Sequence, residues 1–412
     1  MVTEEYDVTG GDSHFHPSSF KGATGMSKQC SIKISVVGVG HVGSVVGFVL
    51  ATRGLAGEIV LCARDGEDEA ARLSRQRAAM DALDIKHAVA VTSHRLEVRA
   101  GTSADTRGSD IVVMTASEAM GTGVNSRMDL AATNTALMGQ LVPRLADLSP
   151  DAIFVTVTNP VDVITHHIHK LSGFDWRRVI GTGTLIDTFR LRRRLADELD
   201  VNAKDLKIYV IGEHGDTSLV TSSGARVGGM SLARIVDVLG VRKAMIAEAE
   251  EEARNIGTQM VHVRGYTNYA VAMAVEMIVD SIVNDRSSVL PVSVLAEDVC
   301  GMGGDVFLSL PCVICREGVQ QRLMPELDED ERMLLRRSAA AVRDAIRMTE
   351  HLLSSLVRVG VGSRRDLATL DRLLRLMGQR LALMHEVARW KWNAGQAITD
   401  PQRERELLQS VV

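Results

Sequence analysis

The sequence predicts an α/β chain: a doubly wound parallel sheet, an α+β second domain after it, and a helical appendage at the C-terminus. Three observations predict this. Runs of β-branched residues alternate with helical patterns from Ser31 onward, the glycine-rich turn Gly38-Val39-Gly40-His41-Val42-Gly43 falls between the first strand and the first helix, and from Glu326 the pattern is helical to the end.

The first half sets the sheet. Ile32 to Val37 reads as a buried strand, Val42 to Arg53 as a helix, Ile59 to Cys62 and Ile111 to Met114 as strands, Leu130 to Ala146 as a helix and Ile153 to Val157 as a strand. Such alternation implies parallel strands joined by crossover helices. After about Ile180 the texture changes to a charged helix (Thr188 to Leu199), a strand (Leu206 to Ile211), a long helix (Val241 to Gln259) and a Gly-rich stretch near Gly301 to Gly304. The expected divisions are a flexible leader at 1–30, a dinucleotide-binding domain at 31–180, a substrate domain at 181–350 and a helical segment at 351–412.

Bulk properties narrow the function. The 412 residues carry a net charge of −5, with a sequence pI near 6.2, so no global cationic field points to nucleic acid or a membrane surface. No apolar run approaches the roughly 18 residues of a spanning helix. The leader holds Glu4, Glu5, Asp7 and Asp12 without an apolar signal segment, which suggests a cytoplasmic protein. Cys312-Val-Ile-Cys315 has redox-motif spacing, yet it sits in an apolar run (Leu308 to Cys315) that reads as a strand, where positions three apart face opposite sides. His166, His167 and His169 lack partner carboxylates or thiolates, so they read as a solvated helix face and no metal is expected.

Two segments carry chemistry. In the glycine turn, Gly38 permits the tight turn, Gly40 lets backbone approach a pyrophosphate and Gly43 permits close helix packing, with His41 and Val42 at the helix start. The second strand then ends in Ala63 where an acid for the adenosine ribose is normally found, and Arg64 follows. Loss of that carboxylate removes repulsion against a 2′-phosphate, and Arg64 offers it a partner; the alternative is that Asp65, displaced by a longer loop, serves the ribose. NAD and NADP both stay open. The other segment, Gly212-Glu213-His214-Gly215-Asp216, follows an apolar run and the earlier Asp187-Thr188-Phe189-Arg190. Together they supply a proton carrier, a carboxylate to orient it and a guanidinium fork for an acid, the needs of 2-oxo acid reduction.

Residues 31 to about 350 resemble the L-lactate/malate dehydrogenase family, including its 2-hydroxyisocaproate branch. The matching segments are Gly38 to Gly43, Asp84-Ile-Lys-His87, Thr158-Asn159-Pro160-Val161-Asp162, Gly181-Thr-Gly-Thr-Leu-Ile-Asp187-Thr-Phe-Arg190, Gly212 to Asp216 and Gly265-Tyr-Thr267. The resemblance implies a Rossmann domain, NAD or NADP, a small 2-oxo/2-hydroxy acid as substrate, and a homo-dimer or homo-tetramer. It also implies that His214 is the acid/base, Asp187 its orienting carboxylate, Arg190 the carboxylate clamp, Asn159 a hydrogen-bonding group near the reacting oxygen and the cofactor, Thr267 a pocket wall and Arg127 the lid arginine. The loop Ala116 to Arg127 departs from the family by one extra residue, with Met120 or Gly121 where the family has Gln or Arg. A second substrate carboxylate would lack its cation there, so malate is disfavoured, and a flexible thioether suits a bulky apolar or aryl side chain.

On a helical wheel Leu370, Leu373, Leu374, Met377, Leu381, Met384 and Val387 share one half with Arg380 and Lys391. This tail resembles the first helix of all-helical chorismate mutases, and by that resemblance Arg380, Lys391, Asp400, Arg403 and Glu404 form a mutase-like site. The family's third helix is absent from the sequence. Three readings follow: a docking or dimerisation element, a mutase site completed by another chain, or a coiled-coil helix. A further alternative makes the chain a mutase component or assembly subunit on a retired dehydrogenase scaffold.

Overall fold

In the first half, strands alternate with helices as β1 (Lys33–Val37), α1 (Gly43–Arg53), β2 (Glu58–Cys62), α2 (Glu69–Val89), β3 (Glu97–Gly101), β4 (Ile111–Met114), α3 (Arg127–Leu148), β5 (Ile153–Thr156), α4 (Val161–Ser172) and β6 (Val179–Gly181). There follow α5 (Leu185–Leu199), β7 (Leu206–Lys207), β8 (Val210–Ile211), β9 (Leu219–Val220), β10 (Arg226–Val227), β11 (Met230–Ser231), α6 (Leu232–Leu239), α7 (Ala244–Arg264), α8 (Tyr269–Val283), β12 (Ser288–Leu295), β13 (Phe307–Cys315), β14 (Gly318–Arg322) and α9 (Glu329–Arg358). The computed structural model describes residues 32–92, 95–118, 127–240, 242, 244–297 and 305–358, with the backbone alone described at 127–129 and 352–358.

Among the described residues the main sheet runs β14-β13-β12-β6-β5-β4-β1-β2-β3. Its parallel part has the order 3-2-1-4-5-6 of a doubly wound sheet, and the antiparallel strands β12 to β14 extend it beyond β6. Period-two alternation explains how both faces are covered. Ile34, Val36, Ile59, Leu61, Ile111 and Val113 face Val46, Leu50 and Ile85 of α1 and α2, while Val37, Val60, Val112, Met114 and Phe154 face Met138, Val142, Ile164 and Ile168 of α3 and α4. A second core joins Leu191, Leu195 and Leu199 of α5 to Met245, Ala249 and Ala253 of α7.

Helix ends follow their local chemistry. Gly54 takes φ +65° and closes α1, the Asp68 side chain accepts from Ala71 N at 2.8 Å to start α2, and Asp328 accepts from Glu331 N at 2.8 Å while Glu331 accepts from Asp328 N at the start of α9. No described helix is long and apolar enough to cross a membrane.

Three expectations are corrected. The single strand expected over Leu206 to Ile211 is two short strands in different sheets, β7 pairing with β10 and β8 with β9. The long helix expected from Val241 begins at Ala244 and runs to Arg264. The histidines of α4 are not a solvated face: His166 is 3% exposed and His167 7%, the His166 and His169 rings pack against Phe307 of β13, His167 packs edge-on to His166, and α4 faces α9. Only Ile168 separates His167 from His169, and the cover over this side of α4 comes from distant chain, β13 and α9. By contrast Cys312 is buried on β13 and Cys315 half-buried, both free thiols, and burial pushes the Cys312 thiol up to about 12, the reverse of a reactive redox cysteine. The leader at 1–30 and the Gly301 to Gly304 stretch lie outside the described residues.

Candidate active site

The parallel strands end at one edge, and the loops that leave them there supply the site. At the end of β1, Gly38 takes φ +100°, and a Cβ on it would meet the Ala116 backbone at 2.4 Å. A Cβ on Gly43 would stand 2.1 Å from the Gly38 carbonyl oxygen, whereas one on Gly40 meets nothing within 4 Å. The outer glycines are therefore fixed by crowding, and the middle one faces open space suited to a pyrophosphate. No side chain caps the N-terminus of α1, although Ser44 N donates to the Gly40 carbonyl at 3.1 Å, so the helix start keeps a positive end for an anion. Thr115 Oγ1 donates to the Gly38 carbonyl at 2.6 Å and ties β4 to this turn.

Around the rest of the dinucleotide cradle, the His41 ring stacks on Tyr266 at 4.0 Å and 7°, and Asn268 Nδ2 donates to the His41 carbonyl at 3.2 Å. Thr267, between them, is half-buried. At the end of β2, Ala63 is buried and Arg64 exposed. Asp65 accepts from Ser103 N at 3.1 Å and Ser103 Oγ at 2.5 Å, and pairs with Arg144 at 3.4 Å.

The second group converges from α5 and the turn after β8. Asp187 and Arg190 lie one helical turn apart on α5, and Arg190 Nη1 donates to Asp187 Oδ1 at 3.0 Å. Asp187 Oδ2 stands 2.6 Å from His214 Nδ1. Burial pushes the Asp187 carboxyl up, but His214 and Arg190 outweigh it and hold the group below the usual carboxylate range. The backbone puts these groups in register: Thr184 Oγ1 donates to the Val210 carbonyl at 2.5 Å, and Val210 N donates to Thr188 Oγ1 at 3.0 Å, so α5 grips the strand leading to His214. Gly212, at φ +89°, turns that strand beneath Ser338, where a Cβ would meet Ser338 Oγ at 2.6 Å.

Several supporting residues have no role assigned from the sequence. Asp162, fully enclosed at the start of α4, accepts from the His214 backbone N–H at 2.7 Å and from Ser293 Oγ at 2.6 Å. Burial pushes its carboxyl up to about 6, against the hydrogen bonds from Ser293 and His214. Its signal was an acid within the apolar stretch Val161 to Ile164. Buried Asn134 on α3 donates to the Asn159 carbonyl at 2.7 Å and accepts from Glu118 N at 2.9 Å, joining Asn159 to the root of the loop. Asn159 itself is exposed, and its Oδ1 accepts from Val161 N at 3.2 Å. On α7, Gly257 lies against the Arg190 guanidinium, 2.8 Å from Nη1 for a Cβ placed there.

The structure thus brings together His214, Asp187 and Arg190, and separately Gly38, Gly40, His41, Val42 and Gly43 with Tyr266. Arg127 is the first residue of α3, the backbone alone being described there. Met120 and the whole mutase-like set, Arg380, Lys391, Asp400, Arg403 and Glu404, lie outside the described residues. Among the described residues no group of three or more His, Cys, Asp or Glu is arranged to hold a metal ion.

Comparison with known proteins follows this geometry. Residues 32–181 match the family description "lactate/malate dehydrogenase, NAD binding domain", and residues 184–353 its "alpha/beta C-terminal domain". Residues 363–412 match chorismate mutase type II. An L-lactate dehydrogenase of Clostridium perfringens is 33% identical over 327 residues, covering 79% of this chain and 99% of its own. L-lactate dehydrogenase A of Hordeum vulgare is 38% identical over 319 residues, covering 74% of this chain and 84% of its own. A solved lactate dehydrogenase from a Medee basin deep-sea metagenome library superposes with a TM-score of 0.72 at 28% identity, over 78% of this chain and 99% of its own. With a glycine cradle, a carboxylate-held histidine and two contiguous family matches, this chain belongs to the lactate/malate dehydrogenase family.

Proposed function

We propose that the chain is an NAD(P)-dependent L-2-hydroxy acid dehydrogenase acting on 2-oxo acids with a bulky apolar or aryl side chain. The observation that carries this reading is the 2.6 Å approach of His214 Nδ1 to Asp187, with Arg190 on the next helical turn. When bound, the reduced nicotinamide supplies the hydride that C2 of the oxo acid accepts. The chain's residues do the rest. Arg190 fixes the substrate carboxylate with parallel N–H donors, and Asn159 donates near the ketone oxygen. Asp187 fixes the tautomer of His214 by holding Nδ1–H, which leaves Nε2 to carry the proton given to the ketone oxygen as C–H forms. Arg127 polarises that oxygen when the lid closes and water is excluded.

Met120 and Thr267 line the side-chain pocket in this reading. An arginine would be needed at the loop position of Met120 to receive a second carboxylate, because an unpaired buried charge is costly. Comparing turnover of phenylpyruvate and branched 2-oxo acids with that of oxaloacetate tests the proposal. Faster oxaloacetate reduction overturns it. Exposed Met80 and Leu83 on α2 and Met260 and Val263 on α7 support assembly into a homo-dimer or homo-tetramer.

The match of residues 363–412 to chorismate mutase type II supports a second reading, in which Arg380 and Lys391 of a paired chain bind a dicarboxylate. Chorismate rearranges to prephenate, a 2-oxo acid leading to phenylpyruvate, which fits an aryl pocket. A direct assay of chorismate loss decides it, and no loss at high enzyme concentration leaves an assembly role.

A further inference from the structure

We infer that this chain selects the 2′-phosphorylated dinucleotide, with Arg64 as the specificity-determining residue; the inference rests on the dinucleotide dehydrogenase reading. The end of β2 abuts the glycine turn, since Gly38 N donates to the Cys62 carbonyl at 3.1 Å. The adenosine ribose of a dinucleotide held on this turn comes to the residues just after Cys62. There the chain presents Ala63, which has no group for a 2′-hydroxyl, and then the exposed cation Arg64.

The neighbouring acid does not take the missing role. Both Asp65 oxygens are engaged, Oδ1 by Ser103 N and Oδ2 by Ser103 Oγ and Arg144, so its carboxylate is drawn toward the turn after β3. The other acids of the loop are also occupied: Asp68 caps α2, and Glu67 pairs with Arg75 at 3.7 Å. Arg75 in turn donates to the Gly66 carbonyl at 2.5 Å, which places a second cation at the same loop. The Arg64 backbone is fixed by Ser74 Oγ at 3.1 Å, while its guanidinium makes no hydrogen bond or ion pair among the described residues. A planar fork on an anchored backbone, beside a neutralised acid, matches a phosphate dianion better than a neutral hydroxyl.

Fluorescence titration of the full-length chain with NADPH and NADH, without any 2-oxo acid, tests this. NADPH is expected to bind at least ~10-fold more tightly, with an advantage that shrinks as salt is raised. Arg64→Ala is expected to weaken NADPH by ~10- to 100-fold and to leave NADH within about twofold, since the lost contact is a charge-assisted pair worth roughly that factor. Displacement by 2′,5′-ADP and 5′-AMP isolates the phosphate: only the former should lose affinity in the variant. NADH binding as tightly as NADPH, or equal loss of both in Arg64→Ala, overturns the inference and leaves the dehydrogenase reading standing. Binding of neither dinucleotide overturns both.

Discussion

His214 and Asp187 share a hydrogen bond of 2.6 Å although 27 residues separate them, because α5 and the turn after β8 are locked together through Val210. Asp187→Asn keeps the shape and removes the charge that favours the imidazolium. In that variant kcat/KM for oxo acid reduction should fall by ~10²- to 10⁴-fold. The pH above which reduction declines should also move down, since the carboxylate that favours the proton on His214 is gone. An unchanged pH profile contradicts the orienting role.

Arg190 spends Nη1 on Asp187 and keeps Nε and Nη2 without a partner among the described residues. Lysine at this position retains charge but loses the fork. Arg190→Lys should raise KM for phenylpyruvate by about 100-fold, roughly 2 to 3 kcal/mol for one charge-assisted contact, with a smaller effect on dinucleotide binding. Equal losses in both would mean a general structural fault.

Asp162 holds the backbone of His214 at a cost in stability that depends on pH. Its carboxyl is raised in the fold to about 6, so the folded chain binds that proton more tightly than the unfolded one. Stability from this group is present below the unfolded value near 4 and is lost as pH rises through about 6. Asp162→Asn removes the titration, worth ~3 kcal/mol, while adding a buried amide donor that costs ~1–3 kcal/mol. The melting temperature of the variant relative to wild type should therefore improve from pH 4 to pH 7, while kcat falls. A relative melting temperature that declines over that range contradicts the ionised, enclosed carboxylate.

His166 and His167 titrate in the opposite sense. Burial lowers both to about 4, with His167 also repelling His166, and among the described residues Nδ1 of the first and Nε2 of the second have no hydrogen-bond partner. The unfolded chain takes up these protons near 6.5 and the fold resists until about 4, so stability is lost as pH falls through that window, by roughly 3 kcal/mol for each site. His167→Phe should flatten the acid side of a denaturation curve taken between pH 7 and pH 4.5. Asp305 and Glu350, which face this cluster, oppose the loss only in part.

Much of the first half is legible in the sequence because buried parallel strands are short runs rich in Val and Ile, as β1, β4 and β5 show. The charged helix α2 and the half-exposed strand β3 carry no such run, and Glu97 and Arg99 gain their meaning only from Lys86 and Glu58 across the fold. The site is legible where one residue does the chemistry, as with His214, Asp187 and Arg190. It is illegible where a residue serves another's backbone: nothing local marks Asp162 as the acceptor for His214 N–H, 52 residues away, or Ser338 as the acceptor for Glu213 N–H. The α4 histidines mislead for the same reason, since their cover comes from β13 and α9.

A single-turnover reduction of phenylpyruvate by wild type and His214→Gln, each saturated with reduced dinucleotide, isolates the proton transfer from binding. The variant should bind the dinucleotide with the wild-type dissociation constant and reduce the oxo acid at least ~10³-fold more slowly, a loss of ~4 kcal/mol in the barrier. Reduction by His214→Gln within tenfold of wild type would mean that another group delivers the proton and that the histidine held by Asp187 is not the acid of this enzyme.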